Sequence, residues 1–268
     1  MRAMIAALQM YDFPELRAET DALWAALRDA LRAHGVAAPD ALSRPADHHA
    51  PWDRPDLLLA QTCGWPYVSK LRGRARLVAT PCYAVEGCAG PLYRSAVVVR
   101  AGEAGALAGL RGRRVAYNAP NSWSGFHALR ATVAPLAERG RFFGSAVETG
   151  GHRASARAVA AGEADAAALD CVSWALIRAV EPDLAARLAV AGWTPAVPGL
   201  PLVTARGSDA ATLAHLRAAV AEAFSGSATQ TIRRPLGIAG AETLEDAAYD
   251  RLDALAAEAD RLGYAALA

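Results

Sequence analysis

Three nearly unbroken apolar runs limit what this chain can fold into. They are "PDLLLAQ" (55–61), "ARLVAT" (75–80) and "YRSAVVVRA" (93–101). Short runs of this kind read as strands covered on both faces. Amphipathic segments alternate with them. "ETDALWAALRDALRAHG" places Leu23, Leu27 and Leu31 on one helical face, with Gly35 positioned as a C-terminal cap. A further strand is expected at the start, over Met4–Met10. Strand–helix alternation predicts an α/β fold with mostly parallel sheets.

The alternation then restarts. "LRGRRVAYN" reads as a strand and "GFHALRATVAPLAERG" as a helix ending near Gly140. "RASARAVAAG" reads as a helix, "ADAAALD" as a strand and "PGLPLVTAR" as one more extended segment. Two helices close the chain, one with Leu213, Leu216, Val220 and Phe224 on a face, the other with Tyr249, Leu252, Leu255 and Leu262. Extended segments around 96–100 and 202–206 bracket the second set of elements. The expected architecture is therefore two lobes joined by a two-strand hinge. Residues 1–98 begin lobe 1, 99–203 build lobe 2, and 204–268 return to lobe 1 with the C-terminal helices. Hinge closure around a ligand suits such a plan.

Charge narrows the partners. With 28 basic and 27 acidic residues, the chain has no broad electrostatic attraction for nucleic acid or anionic membrane. No window approaches the roughly 18 apolar residues that a membrane span needs. The first residues lack a leader pattern, so a cytoplasmic location is expected, or a periplasmic one if a leader was trimmed. None of the four cysteines has C-x-x-C spacing, and buried thiols are favoured over a Cys82–Cys88 pairing. "DHH" (47–49) reads as a surface loop, and neither a metal nor a cofactor is expected.

"NAPNSWSGFHALR" (118–130) carries the strongest local signal. Ser124 stands where a strand turns into a helix. A nucleophile elbow would need glycine two residues earlier, and Ser122 is there instead. A helix start offers unpaired N–H groups and a positive dipole end, and serine hydroxyls add donors. Gly125 would let a ligand approach the backbone. The stretch reads as an anion cradle, with plain helix capping or a serine nucleophile as rivals. His152 precedes a helix and Asp170 ends a strand, where ligand groups commonly sit in open sheets, although both also suit capping. Gln61 and Thr62 end another strand. Tyr11, Tyr93 and Ser95 are further cleft candidates, Arg94 suits the cleft or a structural salt bridge, and Trp65 and Tyr67 suit the cleft or the core.

Together "DLLLAQTCGWPY", "GPLYRS", "VAYNAPNSWSGFHALR" and "GGHRASARAVAAGEADAAALDCVSWAL" resemble the phosphate/phosphite/phosphonate substrate-binding proteins of ABC transporters. The resemblance spans about residues 4–265 and implies a two-lobed type II periplasmic binding protein fold. It implies that Ser122, Trp123 and Ser124 bind phosphorus oxyanion oxygens, that His152 assists, and that Asp170 meets the rest of the ligand, such as an amine. Trp123 stands where well-known members have a small hydroxyl residue. The resemblance also implies a permease partner and no enzymatic role. A cytosolic enzyme or ligand sensor of the same fold is the alternative function.

Overall fold

The computed structural model describes residues 4–103 and 105–268, and the chain divides into two compact units. Unit 1 comprises residues up to 84, 89–92 and 198–249; unit 2 comprises 85–88, 93–197 and 250–268.

Unit 1 is built on a five-stranded sheet of β1 (Ile5–Ala7), β2 (Leu57–Gln61), β3 (Ala75–Tyr83), β11 (Leu202–Ala205) and β12 (Ile238–Glu242), in the order β1-β2-β11-β3-β12. All five residues of β2 are buried, as its unbroken apolar run requires. The first strand is shorter than Met4–Met10, because a 3-10 turn begins at Gln9. Helix Arg17–Ala33 packs Leu23, Leu27 and Leu31 into this unit's core beside Leu58, Leu59 and Val78. Its end is closed by Gly35 at φ +74°, with the Val36 N–H donating to the Leu31 carbonyl at 3.0 Å. Helix Ala210–Ser225 buries Leu213, Leu216, Val220 and Phe224 as spaced, each contributing about 1.5–3 kcal/mol of hydrophobic stabilisation.

Unit 2 holds the second five-stranded sheet. Its strands are β5 (Ser95–Arg100), β6 (Arg114–Tyr117), β7 (Ser145–Glu148), β8 (Ala166–Asp170) and β9 (Leu188–Trp193), in the order β7-β6-β8-β5-β9. β6, β7 and β8 run parallel, while β5 runs antiparallel to β8 and β9. In unit 1, only β1 and β2 are paired in parallel among the described strands. The two-lobed α/β architecture stands with mixed rather than mostly parallel sheets, because the strands that follow each chain crossing run back against their neighbours. Two of the crossings fall on two-residue strands, β4 (Leu92–Tyr93) and β10 (Val197–Pro198). The extended segments 96–100 and 202–206, expected to be the hinge, lie inside the two sheets as β5 and β11.

The C-terminal residues also depart from expectation. Tyr249 closes unit 1, where its hydroxyl meets Thr80 Oγ1 at 2.7 Å and donates to the Gly199 carbonyl. Helix Asp250–Arg261 then joins unit 2 rather than lobe 1. Its buried face is Leu252, Ala256 and Ala259, and Leu262 is exposed. The helix is held by Arg130, a buried guanidinium that donates to the Tyr264 carbonyl at 3.0 Å and pairs with Asp260. The segment after Ser124 is helical only to Leu136, since Pro135 ends the regular ladder and Gly140 sits in a turn at φ +72°.

Candidate functional site

The three parallel strands of unit 2 end on one side of its sheet, and each leads into a helix there. β6 leads through residues 118–122 into a π-turn, Trp123–His127, continued by helix Ala128–Val133. β7 leads through Thr149–Gly151 into helix His152–Ala161. β8 leads directly into helix Cys171–Val180. The sheet therefore brings Ser122, Trp123, Ser124, Gly125, His152 and Asp170 to the same edge. Ser95 opens the antiparallel strand β5 directly opposite Asp170, so it lies at that edge too.

The central contact joins Ser124 Oγ to His152 Nε2 at 2.8 Å. Ser122 Oγ lies 3.4 Å from Ser124 Oγ and accepts from the Gly125 N–H at 3.3 Å, so it caps the turn while touching the second hydroxyl. A π-turn at this position widens the helix start, and such bulges recur at functional sites. Desolvation pushes the His152 ring down to about 4, and the Ala168 carbonyl opposes this only in part. His152 is therefore neutral at pH 7. In the pair with Ser124 the neutral ring donates or accepts according to its tautomer, and neither group carries a formal charge.

Gly125 also has a packing role: a Cβ there would lie 2.0 Å from Asn118 Oδ1. Asn118 was missed in the sequence, although its place just after a strand end was a signal. Its Oδ1 is buried without a hydrogen-bond partner among the described residues, as is Ser95 Oγ. The Thr149–Gly151 loop is pinned beside it by Gly150 N–H to the Asn118 carbonyl at 2.9 Å and Thr149 Oγ1 to the Tyr117 carbonyl at 3.0 Å.

Asp170 caps its helix. Its Oδ1 accepts from the N–H groups of Val172 at 2.8 Å and Ser173 at 3.1 Å, which fixes the carboxylate in a buried position. Trp123 is 1% exposed and stacks with His127, so its indole belongs to the packed interior of the turn. Its backbone remains part of the helix entry.

Unit 1 assembles a second group. Tyr11, just after β1, meets Tyr83 edge to face at 5.3 Å between ring centroids. Gln61 Nε2 donates to Tyr83 Oη at 3.3 Å, and Thr62 follows Gln61 at the end of β2. Tyr83 ends β3, which runs in the same sense as β2, so these residues share one end of that sheet. Tyr67 belongs to the core, with its ring 5.1 Å from that of Tyr249 and its hydroxyl on Asp246. Trp65 is half-buried, Tyr93 is buried and Arg94 is exposed. Asp47 accepts from the His49 N–H in an exposed turn.

The chain was compared with known families, curated proteins and solved structures. The family model of ABC-transporter phosphonate periplasmic substrate-binding proteins matches residues 53–249. Among curated proteins none matches. PhnD1 from Prochlorococcus marinus, in complex with methylphosphonate, shares the fold at a TM-score of 0.75 and 15% identity, over 96% of this chain and 98% of that one. A binding component of an ABC phosphonate transporter from Pseudomonas aeruginosa gives a TM-score of 0.74 at 17% identity, over 97% and 87%. A Xanthomonas citri protein bound to ATP gives 0.71 at 18%, over 97% and 98%. No described helix is long and apolar enough to cross a membrane. With the family model matching residues 53–249, most of the chain, and the two-sheet fold in place, the chain belongs to the periplasmic phosphonate-binding protein family of ABC transporters.

Proposed function

We propose that the chain is a solute-binding protein for a small phosphorus oxyanion, whether phosphonate, phosphite or phosphate, serving an ABC-transporter permease. The observation that carries this reading is the Ser124–His152 pair at 2.8 Å, set at a helix entry where three parallel strands end. Neutral donors and a helix dipole stabilise an oxyanion without a buried counter-charge. The Ser122 hydroxyl and the Ser95 hydroxyl, buried at the same sheet edge, supply further polar groups. Asp170 is proposed to act on the cationic part of a ligand while it caps its helix.

The same contact would suit a serine nucleophile, so a hydrolase is the second reading. Against it stand Ser122 in place of the elbow glycine and a His152 Nδ1 that is buried without a hydrogen-bond partner among the described residues, so no carboxylate orients the ring. Mass spectrometry of small molecules that co-purify with the protein, followed by thermal shift with phosphate, phosphite and methylphosphonate, tests the proposal. An unaltered phosphorus oxyanion and a raised Tm are expected. A product mixture, or no shift with any of the three, overturns it.

A further inference from the structure

Cys88 and Cys171 are 83 residues apart in sequence, yet their Sγ atoms lie 3.4 Å apart in unit 2. Three features of the surroundings bring the two residues together. Gly87 adopts φ +95°, and a Cβ on it would lie 2.8 Å from Cys171 Cβ and 2.6 Å from the Trp193 ring, so the turn is pressed against Cys171. The Cys171 N–H donates to the Arg94 carbonyl at 3.1 Å at the first residue of its helix. Arg178, further along that helix, reaches back to Glu86 at 3.6 Å. The Cys82 thiol, by contrast, belongs to unit 1, with its Sγ 3.8 Å from Glu242 Oε1.

We propose that Cys88 and Cys171 form a reversible redox pair that closes to a disulfide in the presence of a small disulfide oxidant such as oxidised glutathione. The inference does not depend on which ligand the protein binds. Cys88 is half-buried and Cys171 is fully buried, so the oxidant reaches Cys88 first. The Cys171 thiol is pushed well above its ordinary pKa by its contact with Cys88, by burial and by the neighbouring Asp170 carboxylate, so it does not compete with Cys88 for the oxidant and the second step is the slower one. In the first step the Cys88 thiolate attacks one glutathione sulfur, forming a mixed disulfide and releasing one glutathione thiolate. Cys171 then gives up its proton and attacks the Cys88 sulfur, expelling the second. Two cysteine thiols are oxidised, one glutathione disulfide is reduced to two thiols, and the protons pass to those leaving thiolates.

The test uses the full chain, equilibrated with either oxidised glutathione or dithiothreitol, alkylated and mapped by peptide mass spectrometry. The expected result is a Cys88–Cys171 linked peptide, with the intact protein about 2 Da lighter before alkylation, two fewer alkyl groups after it, and no retained glutathione. Closing so long a loop should raise the Tm on the order of 10 °C over the reduced form. Cys88→Ala and Cys171→Ala should each abolish the link and the shift, while Cys63→Ala and Cys82→Ala preserve both. Because Cys88 is half-buried, Cys88→Ala serves as the test even if Cys171→Ala fails to fold. A stable glutathione adduct on Cys88 without the link, a link to another cysteine, or a shift that survives Cys88→Ala would overturn the proposal.

Discussion

Asn118 Oδ1 occupies the space that a side chain on Gly125 would need, with 2.0 Å separating it from the ideal Cβ position. The loop after β6 and the helix entry thus interlock through one missing side chain. Gly125→Ala should cost about 1–2 kcal/mol by displacing Asn118. The Asn118→Ala, Gly125→Ala double variant should recover most of that loss. Denaturant unfolding of the four proteins checks the coupling, and fully additive losses would remove Asn118 from the explanation.

Ser124→Ala should weaken phosphonate or phosphate binding by about 1–3 kcal/mol, and should also lower stability because it leaves His152 Nε2 without its partner. His152→Ala should act in the same direction. Titration calorimetry reads both, and unchanged affinity in Ser124→Ala would exclude that hydroxyl from the ligand site.

A fluorophosphonate probe should leave Ser124 unlabelled, because an oxyanion cradle holds its serine as a donor rather than as an attacking group. Covalent labelling at Ser124 that is lost in His152→Ala would instead establish the hydrolase reading.

Acid should destabilise the protein through two histidines. Burial pushes His127 down to about 4, aided by the charge on Arg130, and burial alone brings His152 to about 4. Both titrate near 6.5 when unfolded, so the unfolded chain binds more protons between about pH 6.5 and pH 4. Their contribution is complete above about pH 6.5 and declines as pH falls, by up to about 1.4 kcal/mol per pH unit for each histidine. Unfolding curves across that range check the slope, which should flatten in His152→Asn.

Asp260→Asn should lower the stability of unit 2 by about 1–3 kcal/mol. The buried Arg130 guanidinium loses its charged partner while keeping the Tyr264 carbonyl. An unchanged Tm would show that solvent replaces the carboxylate.

The sequence made some elements legible and hid others, for identifiable reasons. β2 and β5 were visible because unbroken apolar runs report burial on both faces, and the Arg17–Ala33 helix because its leucines repeat at helical spacing. β7, "SAVE", left no such pattern because all four of its residues are exposed. β12 was hidden by Gly240 within "IAGAE". Apolar spacing ran Tyr249 and Leu252 together into one helix, although the two residues belong to different units. At the candidate site, Ser122, Ser124, His152 and Asp170 were legible because each stands at a strand-to-helix junction. Asn118 was not, because its importance depends on a packing relation with a residue seven positions away. Asp170's double hydrogen bond to its own helix likewise needed coordinates.

The placement of residues 250–268 in unit 2 has a consequence during synthesis. Unit 1 has all its residues by Tyr249, but unit 2 must wait for the final helix, although its five strands were made long before. Until then the face of Leu129 and Val133 lacks Ala259, Tyr264 and Leu267, and Arg130 has neither carbonyl nor carboxylate to meet. A chain not yet made to its last helix therefore carries a nearly finished lobe with an apolar face and a cation still uncovered, the kind of surface that makes incomplete domains prone to aggregate.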